Sequence, residues 1–303
     1  MSNNNIHIIP SSAIDNLKWN ERIIQEPNGL IYSTTSYLDA LTDAWEGLVV
    51  NDYETIIAIP IRKKGFIRYC YSPAFIQQLG IIGKLNTEDA AAIIKIIKHK
   101  YKYGSLQFNF LNKAALIREN STEKINYAIN LNKPFKDIAN NFRKDLKTSL
   151  EKCKYTVVDY IKNIDIEIAI EMYQHQYGSK LDSISNKDYQ KLISYCNNNK
   201  DNCFTRSIVN ERNETIAIAL LLKDEKRLYN IANTVSEKGR KMHANHFLLS
   251  KIIEEFSEQP RSFDFEGSVI PGVKEFYTAF GPQKETYFTH QYNNLPFPLS
   301  HLF

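Results

Sequence analysis

The segment of residues 263–282 gathers two acids, a serine and a tyrosine near the end of one predicted strand. Its opening letters, FDFEGS, alternate phenylalanine with Asp264 and Glu266, which is the period-two pattern of a strand with one apolar face. Gly267 and Ser268 end that strand. Ligand chemistry in mixed α/β folds favours strand ends, so this segment is a candidate functional site.

Glu266 is the candidate general base of this segment. It lies two residues after Asp264, so both carboxylates share one face of the predicted strand. Two neighbouring carboxylates raise the pKa of one of them toward values that suit proton transfer. The alternative is a pair bound to nearby Arg or Lys, or a solvated edge. Ser268 has no adjacent His and no G-x-S-x-G turn, which argues against a serine hydrolase.

Composition bounds the class of protein. The chain has 303 residues, 43% hydrophobic and 24% charged, which fits two domains of roughly 150 residues each. A formal net charge of +4 neither demands nor excludes a polyanionic partner. We predict domains at 1–124 and 125–303, with the second half carrying the site. A DNA partner is not expected, and the oligomeric state is left open.

Cysteine usage and the apolar pattern predict a compartment. The four cysteines are scattered without C-x-x-C or a zinc-like His spacing, so we expect buried free thiols in a reducing, cytoplasmic environment. The first residues lack a signal-peptide pattern, and no window reaches the roughly 18 apolar residues of a membrane span. His243 and His246 lie three apart, but no third ligand is evident, so no metal is expected.

The elements that position the segment follow from periodicity. In the first half, the patterns predict helices at 31–47 and 87–101, the latter capped by Thr87, and strands at 55–61, 66–71 and 105–110. In the second half, they predict strands at 125–131, 203–209, 215–223, 227–234, 262–266 and 285–292, and helices at 135–152, 164–177, 186–197, 242–257 and 272–280.

A faint internal repeat accompanies this order. Residues 92–110 and 247–265 each read as an apolar helix with a Lys-Ile-Ile core, a short turn and an alternating phenylalanine strand. One pair is compatible with duplication, and also with a common helix–strand unit met twice.

The element order of the second half resembles that of the GNAT-type N-acyltransferases. The acidic, glycine-containing strand end and the pattern Gly272, Phe276, Tyr277, Phe280 and Gly281 resemble the FemAB-like branch, whose best-known members transfer amino acids onto cell-wall precursors. The resemblance implies an α+β fold of two GNAT-like domains, each a mixed, mainly antiparallel sheet flanked by helices. The first domain would be a degenerate copy, and the second would hold the donor and acceptor.

The resemblance also implies roles for residues of the last helix. The tyrosine of the family's F-Y-x-x-x-G-F helix often protonates the departing thiolate, which makes Tyr277 the candidate general acid. Packing beside Phe276 and Phe280 is the alternative for Tyr277. Lys274, Asp264 and Ser268 are the candidate substrate-binding residues.

The family's donor loop reads R/Q-x-x-G-x-G/A, and the run from Arg240 to Asn245 aligns with it. His243 and Asn245 stand at its two glycine positions. The resemblance implies that Gly239, Arg240, Lys241 and Asn245 hold donor phosphate, as helix starts can. An ordinary solvated helix start is the alternative. The implied donor is acyl-CoA or, as is frequent in the FemAB-like branch, aminoacyl-tRNA.

Two functions follow as expectations. One is an N-acyltransferase or aminoacyltransferase acting by direct attack on a small-molecule or cell-wall-precursor amine, with tRNA as a candidate partner. The other is a catalytically silent GNAT-like protein that binds a sugar-lipid or nucleotide-linked ligand.

Overall fold

The computed structural model describes residues 5–112, 121–154, 158–181, 183–267 and 271–301. The chain forms two compact units, the first comprising Met1–Lys124 with Thr286–Phe303 and the second Ile125–Glu285. Ten helices are described: α1 (Asn16–Gln25), α2 (Thr35–Leu41), α3 (Thr87–Lys100), α4 (Phe135–Asn140), α5 (Lys144–Lys154), α6 (Ile166–Tyr177), α7 (Asn186–Asn198), α8 (Glu237–Lys241), α9 (Ala244–Glu255) and α10 (Pro271–Thr278).

Thirteen strands are described along the same ranges: β1 (Ile6–Pro10), β2 (Trp45–Val50), β3 (Thr55–Lys64), β4 (Ile67–Cys70), β5 (Ile82–Gly83), β6 (Tyr103–Phe108), β7 (Ser121–Asn130), β8 (Val158–Lys162), β9 (Cys203–Asn210), β10 (Thr215–Lys223), β11 (Arg227–Val235), β12 (Ser262–Asp264) and β13 (Gln283–Asn293). Among the described helices, none combines the length and apolarity that crossing a membrane requires. All four cysteines are buried free thiols, as predicted.

In the first unit the strands lie in the order β1, β2, β3, β4, β6 and the second half of β13. All neighbours are antiparallel except β4 and β6, which are parallel. Helix α3 buries Ile93 and Ile97 in this unit's core. The cap of α3 is Asn86, whose side chain accepts from the Asp89 N–H at 2.8 Å, so the prediction that Thr87 caps the helix is wrong.

The helix predicted over 31–47 is much shorter in the structure. Only Thr35–Leu41 is α-helical, and Trp45 opens the fully buried strand β2. Trp45 packs on Trp19 with ring centroids 5.2 Å apart and donates its indole N–H to Asp39. A short run rich in apolar residues suits either a buried strand or a helix, and here pairing with two strands decides the outcome.

In the second unit the strands lie in the order β7, β12, β11, β10, β9 and β8. Only β11 and β12 are parallel neighbours, so this sheet is also mixed and mainly antiparallel. Successive residues of β11 show where the helices lie. Asn233 bonds Asn245 of α9, and Thr234 bonds Gln176 of α6, so α9 and α6 cover opposite faces.

The two halves of the faint sequence repeat occupy corresponding positions in their sheets. One half contains α3 and β6, and the other contains α9 and β12. Strand β6 lies parallel to β4 and antiparallel to β13, and β12 lies parallel to β11 and antiparallel to β7. The shared pattern of letters therefore corresponds to a shared supersecondary unit.

The helix predicted over 135–152 is divided into α4 and α5. The N–H of Arg143 donates to the carbonyl of Ala279 at 2.8 Å, just beyond α10, instead of continuing the helical ladder. Gly281, with φ of +65°, ends this turn where a Cβ would lie 2.5 Å from the carbonyl oxygen of Asn141. The break therefore seats α10 against the start of α5.

Candidate functional site

The site is built on the end of β12, where the backbone changes direction sharply. The strand ends at Asp264, two residues earlier than predicted, and Phe263 and Phe265 are both fully buried. Glu266 and Gly267 have φ values of +65° and +59°. A left-handed conformation is uncommon for a residue with a side chain and is retained where surrounding contacts enforce it.

Asp264 supplies those contacts. Its Oδ1 accepts the N–H of Glu266 at 2.8 Å and the amide of Asn126 at 2.9 Å, and its Oδ2 accepts Arg227 at 2.6 Å. Arg227 also makes two hydrogen bonds to Glu285, at 2.8 and 3.0 Å. Asp264 is fully buried, and its carboxylate is bound to an arginine, which is the arrangement weighed above as the alternative to catalysis.

Tyrosines from three helices lie on the side of the turn where the ring centroid of Tyr277 is 4.8 Å from that of Phe265. Tyr277 of α10 is buried, and Tyr173 and Tyr177 of α6 pack with ring centroids 5.1 Å apart. Tyr189 of α7 lies 6.5 Å from Tyr173, again between ring centroids. Helix α6 presents Tyr173 and Tyr177 together because residues four apart share a helix face.

Glu266 acts electrostatically on this cluster. Burial raises the pKa of Tyr277 far above its usual range, and the neighbouring Tyr173, Tyr177 and Glu266 raise it further. Burial likewise raises the pKa of Tyr173, with added contributions from the other tyrosines and from Glu266. The phenols therefore remain protonated at neutral pH and can donate hydrogen bonds beside a carboxylate.

The segment aligned with a donor loop differs from its prediction. The helix predicted over 242–257 begins at Ala244, and the shorter helix α8 precedes it. His243 stands between them with φ of +55°. Ser236 caps α8 by accepting the N–H of Gly239 at 3.0 Å.

Two of the candidate donor-binding residues are engaged in the scaffold. Gly239 is buried where a Cβ would lie 2.2 Å from the carbonyl oxygen of Ile216, so its role in the structure is close packing of α8 on β10. Asn245 exchanges two hydrogen bonds with Asn233, at 2.9 and 2.7 Å. Both residues therefore fix α8 and α9 to the sheet.

The remaining candidates lie at the surface or outside the described residues. Arg240 is exposed, and its charge acts on Tyr177, where burial raises the pKa and Arg240 lowers it. Lys241 is exposed and pairs with Glu237 at 3.0 Å. Lys274 is exposed on α10. Ser268 lies outside the described residues.

His246 is a further titratable group of this region. Burial, followed by the nearby His243, lowers the pKa of His246 to about 4. Its ring lies 4.8 Å from that of Phe276, so it contacts the helix that carries Tyr277. Within the described residues, no group of three or more His, Cys, Asp or Glu side chains could hold a metal ion.

Sequence reasoning missed the tyrosines of α6 and α7 and the buried partner Arg227. The spacing of Tyr173 and Tyr177, four apart on a predicted helix, is a signal that could have found the first two. Arg227 opens the otherwise uncharged run RLYNIANTV, which is buried throughout. A charge that begins a buried strand requires a partner, so this run could have indicated a buried ion pair.

Comparison with known proteins gives a likeness in structure. No family model matches the sequence, and no curated protein matches it. The crystal structure of FemX is similar with a TM-score of 0.70 and 12% identity, over 99% of each chain. The chain has the fold of FemX.

Two further solved structures share this fold. The C-terminal domain of a putative lysylphosphatidylglycerol synthetase from Agrobacterium fabrum has a TM-score of 0.58 and 10% identity, over 91% of this chain and 92% of that one. L-PGS from Bacillus licheniformis has a TM-score of 0.54 and 12% identity, over 95% of each chain. The α+β architecture predicted from the sequence is thus confirmed.

Proposed function

We propose that the protein transfers an acyl or aminoacyl group to an amine by direct attack, in the manner of FemAB-like N-acyltransferases. The observation that carries the proposal is the placement of Glu266 beside Tyr277 and Tyr173, on a turn held by the Asp264–Arg227 pair. The FemX fold supports it. The helix–strand units α3–β6 and α9–β12 further support two GNAT-like domains divided after residue 124, with Thr286–Phe303 returning to the first.

The proposed reaction needs one proton to move from the amine to the leaving group. The Glu266 carboxylate accepts a proton from the attacking amine as the nitrogen bonds to the acyl carbon. The bond from that carbon to the leaving group then breaks, and Tyr277 supplies a proton to the departing atom. Glu266 returns the proton to the tyrosine, directly or through water, so the enzyme is restored. Proton transfers of this kind typically contribute 10²–10⁴-fold to a rate.

The buried state of Tyr277 bears on the donor. A phenol whose pKa is raised by burial gives its proton to a strong base more readily than to a weak one. A departing alkoxide is a much stronger base than a thiolate, whose conjugate thiol has a pKa of about 8.5. The oxygen ester of an aminoacyl-tRNA therefore suits this site better than the thioester of acyl-CoA.

The α8–α9 segment supports the same choice of donor. Gly239 and Asn245 are engaged in packing and in the bond to Asn233, so of the four candidate donor-binding residues Arg240 and Lys241 remain at the surface for phosphate. We propose that these two cations hold donor phosphate and that Lys274 contacts the substrate. The acceptor is a small-molecule or cell-wall-precursor amine, and the reaction takes place in the cytoplasm.

Replacement of Glu266 and Tyr277 tests the proposal. We expect Glu266→Gln and Tyr277→Phe each to lower turnover at least tenfold on aminoacyl-tRNA or acyl-CoA with an amine panel, by loss of one proton-transfer group. The matched control is Glu171→Gln, an exposed glutamate of α6, which should leave turnover within twofold. Circular dichroism checks folding. Unchanged turnover in both variants would refute the catalytic assignment.

A silent binding protein is the second candidate, favoured by the scaffold roles of Gly239 and Asn245. Thermal-shift titration with coenzyme A and its short thioesters separates the candidates. Binding to the folded state raises its stability by about 2.7 kcal/mol at 100 times Kd. A saturable shift that Arg240→Ala weakens supports an acyl-CoA donor. A shift with a sugar-lipid or nucleotide-linked ligand, without turnover of any donor, supports the silent protein.

A further inference from the structure

A pocket of about 430 Å³ lies along the second half of α3, in the first unit. Ala91 and the buried Ile94 line it, together with Asn294, which follows β13. The backbone N–H of Asn294 donates to the carbonyl of Lys102 at 2.6 Å, which fixes the segment after β13 to the end of α3. The volume is that of a typical small-ligand site.

The charged groups that line this pocket are all basic. Lys95, Lys98 and Lys102 recur at spacings of three and four and therefore line one side of the helix, with His99 between them. Among the residues that the structure describes, no carboxylate lines the pocket. None of the three lysines forms an ion pair with a described carboxylate. By contrast, Lys100 on the same turn pairs with Glu46 at 2.6 Å.

The helix dipole does not account for this charge. The carboxyl end of a helix carries about half a negative charge, and cations in its last turn offset it. Lys98 lies in that last turn and Lys102 just beyond it, so they offset the dipole, whereas Lys95 lies more than a turn before the end of α3. Three lysines exceed the half charge of the helix end, and the remaining positive charge around a concave surface raises the local concentration of anions.

One lysine is held in place. The ammonium group of Lys98 lies 5.5 Å from the ring centroid of Tyr292, and this side chain is half-buried. A cation held over an aromatic face loses less conformational freedom when it binds a ligand. Lys95 and Lys102 are exposed on either side of it. The arrangement is that of a central cation held over an aromatic ring, with an exposed cation on either side.

We propose that this pocket binds a ligand through a phosphate or diphosphate group. The lysines and His99 hold the phosphate oxygens, and Ala91 with Ile94 contacts an apolar portion of the same ligand. A nucleotide or the diphosphate head of a lipid carries both parts. The proposal concerns the first unit alone and does not depend on acyl transfer at Glu266, so either can fail without the other.

Calorimetric titration with inorganic pyrophosphate and with a nucleoside diphosphate tests the proposal at low salt and near physiological salt. Lys95→Gln with Lys102→Gln removes two charges from exposed side chains for which no bonds are described. We expect affinity for either probe to fall at least tenfold. The control, Lys63→Gln with Lys84→Gln, removes the same charge from exposed lysines of the same unit and should change affinity less than twofold.

Co-sedimentation with phosphatidylcholine vesicles, with and without a lipid diphosphate, separates the sources of the phosphate. Binding to the lipid diphosphate that Lys95→Gln with Lys102→Gln abolishes identifies a lipid headgroup, and binding of the nucleotide alone identifies a soluble ligand. Both results support the pocket. The proposal is overturned if no probe binds saturably, or if the two double variants weaken binding equally, since equal loss reflects net charge alone.

Discussion

At the turn after β12, a buried network holds one carboxylate so that the next can lie beside a cluster of phenols. Asp264 is fully buried and accepts three hydrogen bonds, and Glu266, two residues later, acts on Tyr277 and Tyr173. At the junction of α8 and α9, Gly239 and Asn245 instead serve the packing of helix on sheet. In the first region, one residue, Asp264, supports the turn and a different residue, Glu266, is the candidate reactive group. In the second region, Gly239 and Asn245 were expected to bind the donor, but they hold the helices to the sheet.

The buried pair gives the largest expected effect. Replacing Asp264 by Asn keeps the shape but removes the charge that faces Arg227, which is itself 5% exposed. Removing one partner of a buried ion pair costs about 3–5 kcal/mol when the other charge is left unpaired, and here Arg227 keeps Glu285 as a second partner. We therefore expect a loss of about 3 kcal/mol, the lower end of that range, in the free energy of unfolding, measured with urea.

The exposed pair of α8 is the matched control for this change. Lys238 and Glu214 lie 2.9 Å apart, with side chains 50% and 53% exposed. Lys238→Ala should cost less than about 1 kcal/mol, since solvent screens such pairs. Equal losses in the two variants would contradict the view that support is concentrated at Asp264.

Gly239→Ala tests whether the glycine of α8 serves to pack the helix on the sheet or to bind a phosphate. The new methyl group would lie 2.2 Å from the carbonyl oxygen of Ile216, so the helix must shift. Overpacking of this kind costs typically about 1–3 kcal/mol. We expect that loss in urea denaturation.

Gly272→Ala is the control for the alanine substitution itself. Gly272 lies in α10, and no described atom lies within 4 Å of where its Cβ would be. Alanine there should be neutral or stabilise by up to about 1 kcal/mol through helix propensity. If Gly239→Ala keeps full stability but loses donor binding, the α8 glycine serves a ligand and the contrast between the two regions fails.

The sequence predicts the bounds of helices and strands well where the local pattern of residues determines them. Periodicity places α6, α7, β9, β10 and β11 within two residues of their observed bounds. It fails where a distant group intervenes. The break between α4 and α5 depends on the Ala279 carbonyl, and the shortened β12 depends on Asp264 meeting Arg227, 37 residues away.

The same limit applies to the site. The FDFEGS motif predicts the turn correctly. Which of its two carboxylates supports the turn and which faces the tyrosines depends on Arg227 and Asn126, and neither residue lies nearby in sequence. Histidine is enriched at left-handed positions but is far more often helical or extended, so the sequence does not reveal the turn at His243 between α8 and α9. The spacing of Tyr173 and Tyr177 places both on one face of α6, but what that face meets is known only once α6 is placed on the sheet.

The smallest effect concerns His246, which joins the two regions because it belongs to α9 and contacts Phe276 of α10. Its pKa is lowered from 6.5 to about 4 by burial and by His243, while Asp145 opposes the shift. Below about pH 6.5 the unfolded chain therefore takes up a proton that the folded chain refuses, so stability is lost as pH falls toward about 4. The slope contributed by this one group is at most about 1.4 kcal/mol per pH unit.

Urea denaturation at about pH 6.5 and about pH 5.5 measures that slope, and His246→Gln should reduce it by about 1 kcal/mol across the interval. Burial raises the pKa of Glu255, but its hydrogen bonds to Arg206 and Lys162 lower it to about 2. The contribution of Glu255 to stability is therefore lost only at lower pH and does not affect the slope between about pH 6.5 and about pH 5.5. His175→Gln, at an exposed position of α6, should leave the slope unchanged. If His246→Gln also leaves the pH slope unchanged, the imidazole is solvated. The contact between α9 and α10 is then looser than the distance between the His246 and Phe276 rings indicates.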